Sequence, residues 1–358
     1  MNTPDYYDKL GVTKIINAAG TFTLLSSSLM PEPVQAAIAQ AAKHPVRIIE
    51  LQQAAGAYLA QRLHCEAALV TSGASSALTL ATAACRKGPH SEVIIQRAHR
   101  ADYDYSLALC GIQFVEVESI DEYESAFTPR TAMTHFFHAA EAGTITAADW
   151  LRIAHQHTVP CLIDAAADIP PISNLWNLTE MGFDLVAFSG GKGICGPQNT
   201  GLLLGRRHLI EAAFKNASPF DGTVGRGMKV AKEQIIGLVA AVDWFLTQSD
   251  EQIEKQCRDR AELIADTLKH LPSMRTSIVI PPVANHVPHL LLHYDRTRIQ
   301  IDPLSVATLL REGSPSIELH PDTGGNTIVV GTWTLQPGQE SPVAQRLLEV
   351  LTKAIHEP

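Results

Sequence analysis

An α/β fold is predicted for this sequence: a mainly parallel seven-stranded sheet, followed by a smaller α+β domain at the C-terminal end. Three observations carry the prediction. Seven short apolar runs recur between residues 67 and 204, several of them separated by helical patterns. The chain is 46% hydrophobic but only 6% aromatic, which suits sheets covered by Ala-rich helices. From about residue 250 the pattern changes to three helical stretches and four short strand-like runs. At 358 residues the chain is long enough for a large core and two domains. The expected division is an N-terminal segment, 1–50, packing with the small domain, a large domain at 51–249 and a small C-terminal domain at 250–358.

In chain order, residues 1–30 read as irregular, with Ile15–Thr21 a short apolar piece ending in a turn. The pattern from Pro31 to Leu63 is helical, opened by Pro33, broken at Pro45 and resumed at Ile48. Strands are expected at 67–71, 92–96, 113–117, 133–138, 160–164, 185–189 and 201–204. Helices are expected from about Ser72 to Cys85, at 102–109 and at 146–157. Long helices follow from about 229 to 244 and from 251 to 269. In the tail, strands are expected at 277–280, 289–293, 317–319 and 328–330, with helices at 304–311 and 342–356.

Bulk properties exclude several classes. The net charge is −9 and no basic block occurs, so a nucleic-acid partner is not expected. No apolar run reaches about 18 residues, so no membrane span is expected. The six cysteines form no CxxC pair and the N-terminus lacks a signal-peptide pattern, which together point to a reduced, cytoplasmic setting. His155 and His157 at a helix end lack a supporting Cys or carboxylate cluster, so no metal site is expected and a solvated helix end is the reading.

The residues that carry chemistry follow strands. Thr71-Ser72-Gly73-Ala74-Ser75-Ser76 leads a strand into a helix, where free N–H groups, the helix dipole and Gly73 favour an anion such as a phosphate. Gln96-Arg97-Ala98-His99-Arg100 offers a ring at His99 and anion contacts at Arg97 and Arg100. Asp164 ends the apolar run Cys161-Leu162-Ile163, at the sheet end where α/β proteins bind ligands. Ser189-Gly190-Gly191-Lys192-Gly193 then delivers a lysine among glycines. An aldehyde cofactor needs these parts: an amine for a Schiff base, a carboxylate for the pyridine nitrogen, and an anion site. Their order points to pyridoxal phosphate. Each motif alone also fits a bland alternative: a helix cap, a polar loop, a turn aspartate or a solvated lysine.

The ordered set of Gly11–Gly20, Thr71–Ala74, Arg97–Arg100, Ile163–Ala166, Ser189–Gly193 with Gly196-Pro197-Gln198, Gly225–Glu233 and Arg311–Ile317 resembles the selenocysteine synthase (L-seryl-tRNA(Sec) selenium transferase)-related family of fold-type I pyridoxal-phosphate enzymes. That group includes D-glucosaminate-6-phosphate ammonia-lyase. The resemblance implies that Lys192 forms the Schiff base, Asp164 pairs with the pyridine nitrogen and His99 stacks on the ring. It implies phosphate contacts from Ser72, Gly73, Ala74 and Ser189. It further implies a homodimer or higher homo-oligomer with the site at a subunit interface, where Thr223 and Arg226 reach a neighbour's cofactor. Arg47 and Arg100 join Arg226 as substrate candidates. The chain departs from the family at Cys195, around Ile317–His320 and at Gly331-Thr332-Trp333, where relatives tend to carry arginine. The resemblance therefore leaves the substrate open.

The expected activity is that of a lyase, removing a β-substituent and ammonia from a small or phosphorylated amino acid. Alternatives are a racemase, aldolase or decarboxylase with the same cofactor, a selenium transferase acting on seryl-tRNA, and a non-catalytic relative that kept the fold.

Overall fold

The computed structural model describes residues 5–88, 90–138 and 143–355. Its elements begin with α1 (Tyr6–Leu10), β1 (Ile15–Ala18), α2 (Glu32–Ala41), α3 (Ile48–Arg62), β2 (Ala67–Thr71) and α4 (Ala74–Cys85). Next come β3 (Glu92–Gln96), α5 (Tyr105–Ala108), β4 (Gln113–Val117), α6 (Ile120–Ser125), β5 (Thr131–Phe137) and α7 (Ala147–Gln156). Then follow β6 (Cys161–Asp164), α8 (Asn174–Met181), β7 (Leu185–Ser189), β8 (Gly201–Gly205), α9 (Arg207–Lys215) and α10 (Lys232–Phe245). The chain ends with α11 (Asp250–Leu268), β9 (Arg275–Val279), β10 (His289–His293), α12 (Pro303–Arg311), β11 (Ser316–Leu319), β12 (Thr327–Gly331) and α13 (Glu340–Lys353). Among the described residues no helix is long and apolar enough to cross a membrane.

By contacts the chain divides into two compact units. One holds residues 28–248 and 282–286; the other holds 1–27, 249–281 and 287–358. Residues 28–50 thus group with the larger unit, where α2 packs on α10.

In the larger unit the described strands form one seven-stranded sheet in the order β2-β8-β7-β6-β5-β3-β4. Strands β7, β6, β5, β3 and β4 pair in parallel. Strand β8 is antiparallel to both β7 and β2, so β2 runs with the parallel set. Six carboxyl ends therefore share one edge of the sheet. The strands read as apolar runs because both faces are covered. Leu69, Leu78, Val93, Met133, Leu162 and Leu185 make one buried layer with α4. That helix is itself mostly buried, and its hydroxyls stay satisfied by bonding back one turn: Thr79 Oγ1 donates to Ser75 O (3.1 Å) and Thr82 Oγ1 to Leu78 O (2.8 Å). At the sheet's edge, Gln52 of α3 donates from Nε2 to Val70 O (2.9 Å), capping an open carbonyl of β2.

The opposite, amino end of the sheet is tied by Asp184. Its Oδ2 accepts from Cys161 N (2.8 Å) and lies 2.9 Å from His155 Nε2, while Arg206 Nε reaches Oδ1 at 3.3 Å. His155 thus lies against the Asp184 carboxylate rather than simply in solvent, and His157 stacks on Phe127 at 4.1 Å. His155, Cys161 and Asp184 bring three donor atoms within 4.8 Å of one another, but the Arg206 cation already occupies the carboxylate.

The smaller unit differs from the single small sheet expected. It holds an antiparallel trio, β12-β10-β9, and a separate parallel pair, β1-β11. The apolar piece at Ile15–Ala18, read as irregular from the sequence, is the strand that pairs with Ser316–Leu319. Four residues have no periodicity to read, and the partner lies at the far end of the chain. Asp302 and Ser249 cap α12 and α11, accepting from Ser305 N (3.0 Å) and Gln252 N (3.1 Å). The helices α1, α6, α8 and α9 are additional to those expected. The C-terminal helix ends at Lys353; position 356 of the expected helix lies outside the described residues.

Candidate active site

The carboxyl ends of β2, β3, β6 and β7 bring together Ser72–Ala74, His99, Asp164 and Ser189–Lys192. After β2 the chain turns sharply into α4. Thr71 Oγ1 donates to Gly73 O (2.9 Å), and Ser76 Oγ donates to Ser72 O (2.7 Å). Gly73 stands at the N-cap with φ 86° and ψ 164°, a conformation that L side chains avoid. A Cβ built there would meet nothing within 4 Å, so space is open before the free N–H groups of α4. Gly201 on β8 backs the turn so closely that a Cβ would lie 2.4 Å from the Gly73 carbonyl carbon and oxygen. Gly201→Ala is expected to cost about 1–3 kcal/mol by overpacking and to displace this turn. A lowered melting temperature, together with weaker binding of pyridoxal phosphate in an absorbance titration, checks both effects.

Asp164 is 3% exposed and accepts from Ala166 N at Oδ1 (3.0 Å). Burial pushes its carboxyl up to about 6, against the Ala166 N–H and the charge of Lys192, with Asp168 and Asp104 adding to the rise. Lys192 shows the reverse: burial pulls its amine down, and the charges of Asp164 and Asp168 oppose that. His99 is 2% exposed, with Nδ1 accepting from Phe137 N (3.3 Å) and the ring edge-on to Phe136 at 4.4 Å. Burial, aided by His138, pulls His99 down to about 4, so its ring is neutral at pH 7. Ser189, half-buried, ends β7 in register with Gly201.

The remaining predicted residues are held by local partners. Arg47 is exposed and 3.6 Å from Glu50. Arg100 pairs with Asp104 and Glu116 and lies 4.4 Å over the Phe114 ring. Arg226 Nε is 2.7 Å from Asp221 Oδ1, and Thr223 Oγ1 donates to Phe220 O (3.0 Å). Cys195 is 8% exposed, and burial pushes its thiol up to about 11. In the smaller unit His320 sits edge-on to Phe22 and His289.

Two features went unread in the sequence. Ser28 Oγ is 2.6 Å from Gly191 O and 2.8 Å from Lys192 O, clamping the lysine loop from a distant segment. Asp168, four positions beyond Asp164 in Ala165-Ala166-Ala167-Asp168, has a side chain only 1% exposed, and its charge acts on both Lys192 and Asp164. An aspartate so soon after a strand-end aspartate was the available signal.

This donor set fits pyridoxal phosphate. An open helix start suits the phosphate, a buried carboxyl with a raised pKa suits a cationic ring nitrogen, and a desolvated amine suits an aldehyde. The fold and the crest together define a fold-type I pyridoxal-phosphate enzyme. The chain belongs to the class-V aminotransferase family, whose profile matches residues 64–312. D-glucosaminate-6-phosphate ammonia lyase of Salmonella typhimurium is 31% identical over 290 residues, covering 74% of this chain and 76% of that protein. The 5'-C-glycyluridine monooxygenase-decarboxylase of a Streptomyces species is 28% identical over 96% of this chain and 92% of its own. A solved structure of D-glucosaminate-6-phosphate ammonia-lyase matches with a TM-score of 0.83 at 25% identity, covering 98% of this chain and 99% of that one.

Proposed function

We propose that the protein is a lyase that removes a β-substituent and ammonia from a small or phosphorylated amino acid. The observation that carries the reading is the pairing, at neighbouring strand ends, of a desolvated amine at Lys192 with a buried carboxyl at Asp164. The similarity to D-glucosaminate-6-phosphate ammonia lyase supports the reaction class.

When bound, pyridoxal phosphate supplies an aldehyde that takes up the substrate amine and a ring that accepts carbanion charge. The N–H groups at the start of α4, with Ser72, Gly73, Ala74 and Ser189, would hold its phosphate. Asp164 would hold a proton at the pyridine nitrogen, and His99, neutral and bonded through Nδ1, would lie against the ring. Lys192 Nζ is the base that takes the Cα proton. Burial makes that assignment reasonable, because only a neutral amine can accept a proton near pH 7. Thr223 and Arg226 contribute across a subunit interface, and Arg47 and Arg100 are the further substrate contacts of this reading.

The test is a screen of D- and L-amino acids, hydroxy amino acids and amino-sugar acids, following ammonia and keto acid together. Equal release of both supports the lyase. A second reading, decarboxylation, rests on the likeness to the Streptomyces decarboxylase across nearly the whole chain. Carbon dioxide release without ammonia would favour it.

A further inference from the structure

Beside the lysine and aspartate of the candidate site stands a pair that the proposed reaction has not used. His138 follows β5, and its N–H donates to Asp164 O (3.1 Å), so it shares the carboxyl crest of the sheet. Its Nδ1 lies 3.1 Å from Asp168 Oδ2. Both atoms are buried, and neither makes a hydrogen bond of good geometry to a described residue, so the two groups meet at ion-pair distance. Asp168 is itself immobilised: its Oδ1 accepts from Ala284 N (3.0 Å), and its backbone carbonyl accepts from Asn174 Nδ2 (2.8 Å). Ala284 takes φ 55° to make that contact, a left-handed conformation that costs a non-glycine residue about 1 kcal/mol.

The two members differ in access. The Asp168 side chain is 1% exposed, whereas that of His138 is 30% exposed. A buried carboxylate beside one imidazole nitrogen favours the charged form of the ring, and it leaves the other nitrogen to exchange protons. Nε2 of His138 makes no hydrogen bond to a described residue. Among the described residues the titratable groups that act with His138 are Asp168 and His99, and Asp168 acts in turn on Asp164 and Lys192. Burial lowers the His138 pKa, but Asp168 outweighs it and the net direction is upward.

We propose that His138 is the acid that protonates the departing β-hydroxyl, with Asp168 as its positioning residue. The proposal rests on the elimination reading above. Lys192 takes the Cα proton, and the electron pair left behind forms the Cα–Cβ double bond. The Cβ–O bond breaks, and its electron pair leaves with the oxygen. That oxygen receives the Nε2 proton of His138 and departs as water, and solvent returns a proton to the half-exposed ring. Hydroxide leaves poorly without such a proton, whereas chloride needs none.

The experiment compares wild-type and His138→Gln holoenzyme on D- and L-serine and on D- and L-β-chloroalanine. Elimination from serine is expected to fall about 10²–10⁴-fold, with a change of no more than about fivefold on β-chloroalanine. The visible absorbance of the bound cofactor should be retained. Exchange of the serine Cα proton with deuterated water should continue in His138→Gln, because Lys192 is untouched. NMR titration of labelled histidine should place His138 above the ordinary imidazole value, and Asp168→Asn should bring it down. A variant that loses both substrates alike, or a wild type active on β-chloroalanine alone, overturns the role of His138 and leaves the elimination reading standing. A wild type that eliminates neither, and that releases no ammonia with keto acid from any member of the wider screen, overturns the elimination reading and the acid role with it.

Discussion

Lys192→Ala holoenzyme is expected to lose turnover by at least about 10³-fold, the scale of removing a positioned base together with a covalent anchor. Lys192 is only part-buried, so alanine removes the function without opening a closed core cavity. Ser28 still clamps the Gly191 and Lys192 carbonyls, because those contacts are to backbone. The melting temperature should therefore move little while the chemistry disappears. Two measurements decide the matter. Steady-state assays of ammonia release report the loss, and borohydride treatment followed by mass spectrometry should place the cofactor on Lys192 in wild type and nowhere in the variant. A variant that still carries the reduced cofactor at a different lysine would overturn the assignment.

Asp164→Asn carries the second large effect. Opposite unit charges about 3 Å apart at an effective dielectric of about 20 attract by roughly 5 kcal/mol, before desolvation is charged against them. If the transition state feels most of that, turnover falls by about 10³-fold. The same side chain sets a pH dependence. In the cofactor-free protein the Asp164 carboxyl titrates at about 6, so below that pH it is protonated and must release its proton to meet a cationic ring. Cofactor affinity should thus be highest above about pH 6 and weaken by up to about tenfold per pH unit as the solution is acidified, following the proton released. Lys192 adds to this slope, because its amine must also be neutral to condense with the aldehyde. Asn has no proton to release, so Asp164→Asn should flatten the dependence to the part that Lys192 imposes. Titrations of pyridoxal phosphate at pH 5 and pH 7.5, on both proteins, test this. An unchanged slope would remove Asp164 from the role.

The legible parts of the site share one property: each is local. Gly73 follows a five-residue apolar run and precedes a helix, so its place at a strand-to-helix turn can be read from seven or eight neighbours. The same holds for Asp164 after Cys161-Leu162-Ile163 and for Lys192 among its glycines. The His138–Asp168 pair was not legible, since it joins the ends of two strands through a contact between side chains. Nor was the clamp from Ser28, a hydroxyl on an irregular segment. The arginines show the limit from the other side. Arg100 and Arg226 looked available in the sequence, yet each has a carboxylate beside it in the fold, at Asp104 and Asp221.

By itself the sequence determined the seven strands, several of the helices that bury their faces (α4 and α7 but not α8 or α9), and the glycines, lysine and aspartate that mark the carboxyl crest. It could do so because apolar periodicity and turn chemistry act over a few residues. Tertiary structure alone decided that β8 runs against its neighbours, that Ile15–Ala18 is a strand paired with Ser316–Leu319, and that Asp168 stands behind His138 next to Lys192. Those outcomes depend on pairing between distant segments. They also depend on burial, which moves the Asp164 carboxyl and the Lys192 amine in opposite directions and so prepares them for one cofactor.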